Sequence, residues 1–370
     1  MSLELTHERL GWPSRDEIFR PSGEGVRVFA RLAQGKIGNS IERHSDARGA
    51  KVGVLSPNPG SSDTEPALAV VAEFQQPVCD ATLRDIHRLA WNFSRCPMVV
   101  TIEPHLLRAW TCCEPPTDQL HFAIHELPTS QLARSDCLSQ RAAQALHWVN
   151  LVSGQFFKEN APRFRRDQRA DQLLLENLRS VRSALREAGL KDDDVCHDLL
   201  ARVIFIQFLF DRKDSSGKAA LNPSTLERLH DEDVLKAKHG GFASILADYD
   251  ETYRLFRWLN ERFNGDLFPG KGDSADDRER AWQAEKRHVK APHLDVLAQF
   301  VSGKLDMPEG QRCLWREYAF DAIPLEFISS IYEAFVTERA RSEGIYYTPP
   351  HLVDFTLDRV LPWDGDGWDL

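Results

Sequence analysis

The sequence predicts a mixed α/β fold in the first 150 residues, followed by a mostly α-helical region. Three short apolar runs, rich in β-branched residues and flanked by Pro and Gly, predict strands at 67–74, 98–102 and 106–111. From about residue 160 to 340, apolar residues recur instead at the three- and four-residue spacing of amphipathic helices. This order indicates an α/β domain and then a helical domain.

A helix is predicted between the first two strands, over residues 80–92. Leu83, Ile86 and Leu89 lie there at helical spacing, and the Pro-, Gly- and Ser-containing stretch 57–62 marks a loop before the first strand. The α/β region therefore contains the local order strand, helix, strand.

Several helices are predicted in the second region. Residues 173–188 place apolar side chains on one face, and Gly189 is positioned to end that helix. The stretch 199–210 is apolar nearly all round, which is typical of a helix buried in a bundle. Residues 242–263 are amphipathic and rich in aromatic residues, and residues 270–280 are predicted to form a charged, solvated loop.

Two further helix starts are predicted near the C-terminus. Asp321 can cap a helix whose first turn holds Pro324, and Thr348 can cap another that begins with two prolines. Residues 368–370 have the character of a strand that is beginning. Because an independent domain rarely ends there, we expect the chain to be a piece of a longer protein.

Composition excludes several classes of protein. Hydrophobic residues make up 42% and charged residues 28%, as in ordinary globular domains. No run of 18 apolar residues predicts a membrane span, and the N-terminus lacks the basic start and apolar core of a signal peptide. We therefore expect a cytoplasmic protein without a membrane partner. Its 7 cysteines form no Cys-x-x-Cys pair, so we expect reduced, buried thiols.

The charge distribution bears on nucleic-acid binding. The net charge of −10 argues against a protein that coats DNA by charge alone. The basic run PRFRRDQR at 162–169 offers local contacts to phosphate groups. The alternative, a solvated helix start, is the favoured interpretation of this run.

Three short elements follow one another near the C-terminus: LEFISSIYE at 325–333, GIYYTPP at 344–350 and LVDF at 352–355. In this order they resemble the segment that leads into the catalytic domain of N6-adenine DNA methyltransferases. The resemblance is to the members found in type I and type IIG restriction-modification systems and in phage defence. RFNGDLFP at 262–269 is similar to a phrase in their helical connector. HRLAWN at 87–92, followed by PMVV, is similar to the N-terminal domain of some members.

The resemblance implies an enzyme that uses S-adenosylmethionine to methylate adenine N6 in double-stranded DNA, with other restriction or defence-system subunits as further partners. It also implies three regions. A restriction-endonuclease-like α/β domain would occupy 1–150, and a helical connector domain 160–320. The beginning of a Rossmann-like methyltransferase domain would occupy 321–370.

By the same resemblance, the S-adenosylmethionine pocket would be lined by Tyr346, Tyr347, Thr348 and Pro349. A helix N-terminus offers free N–H groups to a carboxylate such as that of the methionine tail. An adjacent aromatic ring can pack on the adenine or the sulfonium. The alternative is a capped helix that only packs on a core.

Two motifs that the family needs for catalysis do not occur in this sequence. One is the Asp-Pro-x-x-Gly-x-Gly-like loop for the cofactor, and the other is the Asn/Asp-Pro-Pro-aromatic motif for the flipped adenine. Gly365 and Gly367 form too short a pattern to replace the loop. We expect this chain alone to lack methyl-transfer activity, with the missing motifs beyond Leu370.

Many type IIG relatives carry an N-terminal nuclease, in which an Asp and a Glu-x-Lys hold Mg²⁺ and activate water. Here the candidates are Asp63, Glu73 at the end of a predicted strand, and Gln75 in the place of the lysine; Asp46 is a further candidate acid. Because glutamine removes the charge that would stabilise a hydroxide, a degenerate domain is favoured over a working Mg²⁺-dependent endonuclease. A third interpretation is a non-catalytic helical scaffold that positions DNA or partner subunits.

Overall fold

The computed structural model describes residues 3–19, 28–57, 67–94, 96–132, 143–214, 217–263, 267–270, 274–307 and 313–323, together with residues 352 and 356. A five-stranded sheet forms the centre of its first part. The strands lie in the order β1 (Lys51–Leu55), β2 (Ala69–Glu73), β3 (Met98–Ile102), β4 (Leu106–Thr111) and β5 (His125–Pro128). The three strands that the sequence predicted are confirmed, and β1 and β5 extend the sheet on either side.

Helices surround this sheet in the part of the chain up to residue 159, which we call the sheet region. They are α1 (Leu3–Leu10), α2 (Arg15–Phe19), α3 (Val28–Ala33), α4 (Asn39–Ile41), α5 (Asp80–Phe93), α6 (Thr129–Leu132), α7 (Trp148–Val152) and α8 (Gln155–Glu159). A π-helical turn, Gln34–Gly38, joins α3 to α4. Among these five strands, only β2 and β3 pair in parallel, and α5 is the crossover that their parallel pairing requires.

Alternation along the strands gives the sheet two buried faces. Val70 and Ala72 of β2 pack with α3, α4 and α5, whereas Ala69 and Val71 pack with α1, α2 and the segment around α7 and α8. Gly53 allows the closest approach on the second face, because a Cβ there would lie 2.2 Å from the carbonyl oxygen of Ile18. The sheet is therefore the middle of three layers.

The part of the chain from 170 to 307, which we call the helical region, follows. Its helices are α9 (Ala170–Glu187), α10 (Asp193–Asp211), α11 (Pro223–Asp231), α12 (Phe242–Leu246), α13 (Tyr249–Arg262), α14 (Ala275–His288) and α15 (Ala291–Val301). Gly189, with φ +105°, lets the N–H of Leu190 bond to the carbonyl of Leu185, and this ends α9 as predicted.

Two details of the helical region differ from the sequence-based expectation. The aromatic stretch at 242–263 is divided, because Asp248 accepts hydrogen bonds from the N–H groups of Asp250 and Glu251 and starts a new helix. The prediction of a solvated loop over 270–280 is wrong from residue 274 onward. Ser274 and Asp277 form a reciprocal capping box that begins α14.

A segment at 313–323, which we call the strap, packs where the two regions meet. Tyr318 stacks on Trp91 of α5 at 5.1 Å between ring centroids. The side chain of Asn92 donates to the carbonyl of Glu317 and accepts from the N–H of Ala319. Asn177 of α9 accepts from the N–H of Leu314. The strap is thus tied to both regions.

Among the helices in the described part of the chain, none combines the length and apolarity that crossing a bilayer requires. The predicted helix caps at Asp321 and Thr348 and the predicted strand start at 368–370 involve positions from 324 onward, which lie outside the described residues apart from 352 and 356.

Candidate functional site

Glu73, the central residue of the predicted nuclease site, lies at the end of β2 and is bound by an arginine. The Nε and Nη2 atoms of Arg15 both donate to one oxygen of Glu73, at 3.0 and 2.7 Å. The Glu73 side chain is only 12% exposed. An arginine at this distance neutralises the carboxylate that a divalent cation would need.

An open cavity of about 430 Å³ adjoins this pair and is lined in part by Arg15, Asp16, Gln34 and Lys51. Lys51 lies opposite Glu73 in the antiparallel pairing of β1 with β2, so both side chains leave the sheet on one face. The cavity thus has two cations and one acid among its lining residues. Because Arg15 is already paired with Glu73, the lining has no surplus of either charge beyond Lys51 and Asp16, which balance each other.

Asp46, the further candidate acid, is engaged at the start of α5 rather than with Glu73. Asp46 lies in a 3-10 turn, Ser45–Ala47, and accepts hydrogen bonds from the N–H of Cys79 and the hydroxyl of Thr82. Although desolvation opposes it, these bonds lower the pKa of Asp46. Asp46 therefore caps α5 rather than binding a metal with Glu73. Asp63 lies outside the described residues, and Gln75 is exposed, two residues beyond the end of β2.

A second acid at this edge of the sheet, Glu103, was not predicted. It follows β3, the parallel neighbour of β2, and accepts from the N–H of Val78. Glu73 is paired with Ile102, so Glu103 projects toward the opposite face of the sheet. The described residues contain no group of three His, Cys, Asp or Glu side chains that could hold a metal ion. The residues that are described here do not fit a Mg²⁺ site.

Most arginines of the basic run at 162–169 form ion pairs or hydrogen bonds within the protein. Arg163 forms a two-pronged ion pair with Glu114, and Arg165 pairs with Asp167. Arg169 donates to the carbonyl of Ser94 and contacts Asp171. These contacts favour an internal structural role for the run over phosphate binding.

A groove of about 370 Å³ lies between the sheet region, the helical region and the strap. Its lining includes four cationic side chains, Arg43, Arg88, Lys213 and Arg316. Arg43 and Lys213 each lie two residues beyond the end of a helix, α4 and α10 respectively. Arg88 lies in α5, and Arg316 lies in the 3-10 turn Trp315–Glu317 of the strap. We call these residues the cationic groove. Sequence reasoning missed it because its members are dispersed along the chain.

Two carboxylates, Asp211 and Asp321, also line the cationic groove. Burial raises the pKa of Asp211 to about 6, although the N–H of Phe320 donates to it. Lys36 donates to the main-chain oxygen of Asp321, and burial lowers the pKa of this lysine. Perturbed groups beside an open groove are a common feature of binding sites.

The cysteines are mostly buried, as expected, but Cys79 is exposed. Burial raises the pKa of Cys112 and Cys113, so both remain thiols rather than reactive thiolates at neutral pH. Cys137 lies outside the described residues.

The predicted cofactor-binding residues Tyr346, Tyr347, Thr348 and Pro349 also lie outside the described residues. In comparisons with known proteins, no family model, no curated protein and no solved structure matches this chain.

Proposed function

We propose that this chain is the N-terminal region of a site-specific adenine-N6 DNA methyltransferase of a restriction-modification or phage-defence system. The observation that carries the proposal is the ordered set of elements at 325–333, 344–350 and 352–355. Under this proposal, the sheet region is a degenerate restriction-endonuclease-like domain and the helical region is the connector.

The strap supports this assignment of roles. In the sequence, the strap comes just before the first of the three elements, at 325–333. Ile323 at the end of the strap is buried. Asn92 donates to the carbonyl of Glu317 and Asn177 accepts from the N–H of Leu314, and these hydrogen bonds hold the strap against both regions. A segment anchored in this way can position a following catalytic domain relative to DNA held elsewhere on the protein.

The S-adenosylmethionine that the proposal requires supplies the methyl group. Thr348 is proposed to cap a helix whose free N–H groups bind the methionine carboxylate, and Tyr347 to pack on the cofactor. The chain contains neither of the two catalytic motifs, so the transfer step itself is assigned to a further segment or subunit. The purified chain should transfer no labelled methyl group from S-adenosylmethionine to DNA.

The test uses the complete polypeptide and the pair Tyr347→Ala and Thr348→Ala. We expect weaker binding of S-adenosylmethionine by calorimetry, with the fold retained; losing the cap alone removes about 0.5–2 kcal/mol of local helix stability. Thr356→Ala is the matched control, because that hydroxyl bonds only to the carbonyl of Leu352 within the described residues. Unchanged affinity in the double variant would show that the motif is only structural.

A non-catalytic scaffold is the second candidate, and one observation favours it: neither of the two catalytic motifs occurs in this sequence. The sequence of the gene downstream of residue 370 separates the two proposals. An Asp-Pro-x-x-Gly loop followed by Asn-Pro-Pro-Tyr supports the methyltransferase. Its absence supports the scaffold. The endonuclease alternative loses support from the Arg15–Glu73 pair.

A further inference from the structure

We propose that the cationic groove binds the phosphodiester backbone of double-stranded DNA. The inference rests on the proposed function, which makes DNA the partner, and it assigns the contact to particular residues. Neither the resemblance nor the basic run at 162–169 points to this surface.

The four cations of the cationic groove have few ion-pair partners. Arg43 and Arg88 share a single carboxylate, Asp85, at 2.6 and 3.1 Å. Lys213 and Arg316 form no ion pair with any residue that the structure describes, and both are exposed. Among the described residues, two cations without an ion-pair partner, beside two more that share one carboxylate, leave the groove with more positive than negative charge.

The carboxylates on the groove do not cancel this charge. Asp211 accepts hydrogen bonds from the N–H of Phe320 and the side chain of Gln207, so each of its two oxygens already has a donor. Lys36 lies beside Asp321 and offsets its charge. The cations therefore dominate the part of the groove that solvent reaches.

The shape of the groove favours a polymer backbone over a small metabolite. A small ligand is usually enclosed by its pocket, whereas Arg43, with 55% of its side chain exposed, Lys213 and Arg316 lie where solvent reaches them. Long cationic side chains around an open groove are the groups that contact phosphates and release counterions. Such contacts position a protein on DNA without reading its sequence.

Lys213 and Arg316 are the residues to change, because removing Arg43 or Arg88 would leave Asp85 buried with less compensation. The test variant is Lys213→Glu with Arg316→Glu, and the matched control is Lys191→Glu with Arg287→Glu. The control removes the same two residue types at exposed positions that do not line the groove. Lys213→Arg with Arg316→Lys keeps the charge and should keep binding.

Binding of a labelled double-stranded oligonucleotide is measured by fluorescence anisotropy over about 50–200 mM salt. Each lost phosphate contact should reduce the salt slope by about 0.9, which is roughly tenfold in affinity per contact near 0.1 M salt. The groove variant should therefore bind about a hundredfold more weakly, and the control should change far less. Circular dichroism of both variants confirms that they are folded.

Three outcomes overturn the groove assignment: equal losses in both variants, an unchanged salt slope in the groove variant, or no DNA binding by the unaltered chain. None of these decides the proposed function, which is tested separately by methyl transfer to DNA from the complete polypeptide. If the complete polypeptide transfers methyl groups to DNA and the groove variant binds DNA as tightly as the unaltered chain, DNA is bound elsewhere on the protein. If the complete polypeptide transfers no methyl group but the groove residues are needed for DNA binding, the protein is a DNA-binding scaffold.

Discussion

Glu73 is the residue on which a nuclease function depends, and Arg15 already compensates its charge. We predict that the chain does not cut DNA, because Glu73 is paired with an arginine and Gln75 cannot supply the cation that stabilises an attacking hydroxide. The measurement is incubation with plasmid and Mg²⁺ or Mn²⁺, beside a Glu73→Ala variant. Nicking by the unaltered chain and not by the variant would restore the endonuclease interpretation.

Asp211 is a second residue whose environment has a measurable consequence. Burial raises its pKa from 3.8 to about 6, so between these pH values the folded chain binds more protons at this site than the unfolded chain. This site therefore loses stability as pH rises from about 4 to 6, and Asp211→Asn should relieve the loss by on the order of 2 kcal/mol at neutral pH.

The measurement is urea unfolding of the unaltered chain and Asp211→Asn at both ends of this pH range. The difference in unfolding free energy should move in favour of the variant as pH rises. The control is Asp295→Asn, the same substitution at an exposed position. A pH-independent difference for Asp211→Asn would mean that the carboxylate is not destabilised by burial.

The elements differ in how well the sequence predicts them. β2, β3 and the crossover helix α5 carry dense β-branched or periodic apolar patterns, and all three were predicted. β1 has glycine at its centre and β5 has four residues and ends in proline, so neither resembles an ordinary strand. Their pairing with β2 and β4 makes them strands, and that information is non-local.

The candidate sites were harder to predict than the elements. Asp46 caps a helix that begins more than thirty positions later, and this relation depends on tertiary packing. The cationic groove combines side chains from 43, 88, 213 and 316, which no local pattern links. The start of α14 was missed although it could have been predicted from the sequence. Ser274 followed by an acid at 277 is a local signal for a helix N-terminus.

The capping box at the start of α14 can be tested by substituting Ser274. The hydroxyl of Ser274 accepts from the N–H of Asp277 at 3.1 Å, and the carboxylate of Asp277 reaches back to the N–H of Ser274. Ser274→Ala should cost about 0.5–2 kcal/mol of unfolding free energy, whereas Ser274→Asp, another capping residue, should cost little. Urea unfolding gives both values. Equal losses for the two variants would argue against the capping role.

The whole molecule depends on contacts between its two regions. Trp91 of α5 packs with the core of the helical region, while Ala319 and Ala322 of the strap pack with the core of the sheet region. Contacts between the two regions are thus made by α5 and by the strap. An interface of this kind fixes the two faces of the cationic groove relative to each other.

Substitution of Asn92 tests whether the strap couples the two regions. It is fully buried, its amide donates to the carbonyl of Glu317 at 2.8 Å, and its oxygen accepts from the N–H of Ala319 at 2.9 Å. Asn92→Ala leaves both main-chain groups unpaired, which should cost about 1–3 kcal/mol. The loss should appear as faster hydrogen exchange throughout 313–323, with the strands of the sheet still protected.

The exchange pattern distinguishes coupling from general destabilisation. Asn150→Ala is the control, since its amide bonds to the carbonyl of Gln144 on the exposed side of the sheet region. It should leave exchange in the strap unchanged. If Asn92→Ala speeds exchange equally in β2 and β3, the asparagine stabilises the sheet region as a whole. If it speeds exchange only in the strap and also weakens DNA binding, the strap holds the two faces of the cationic groove together.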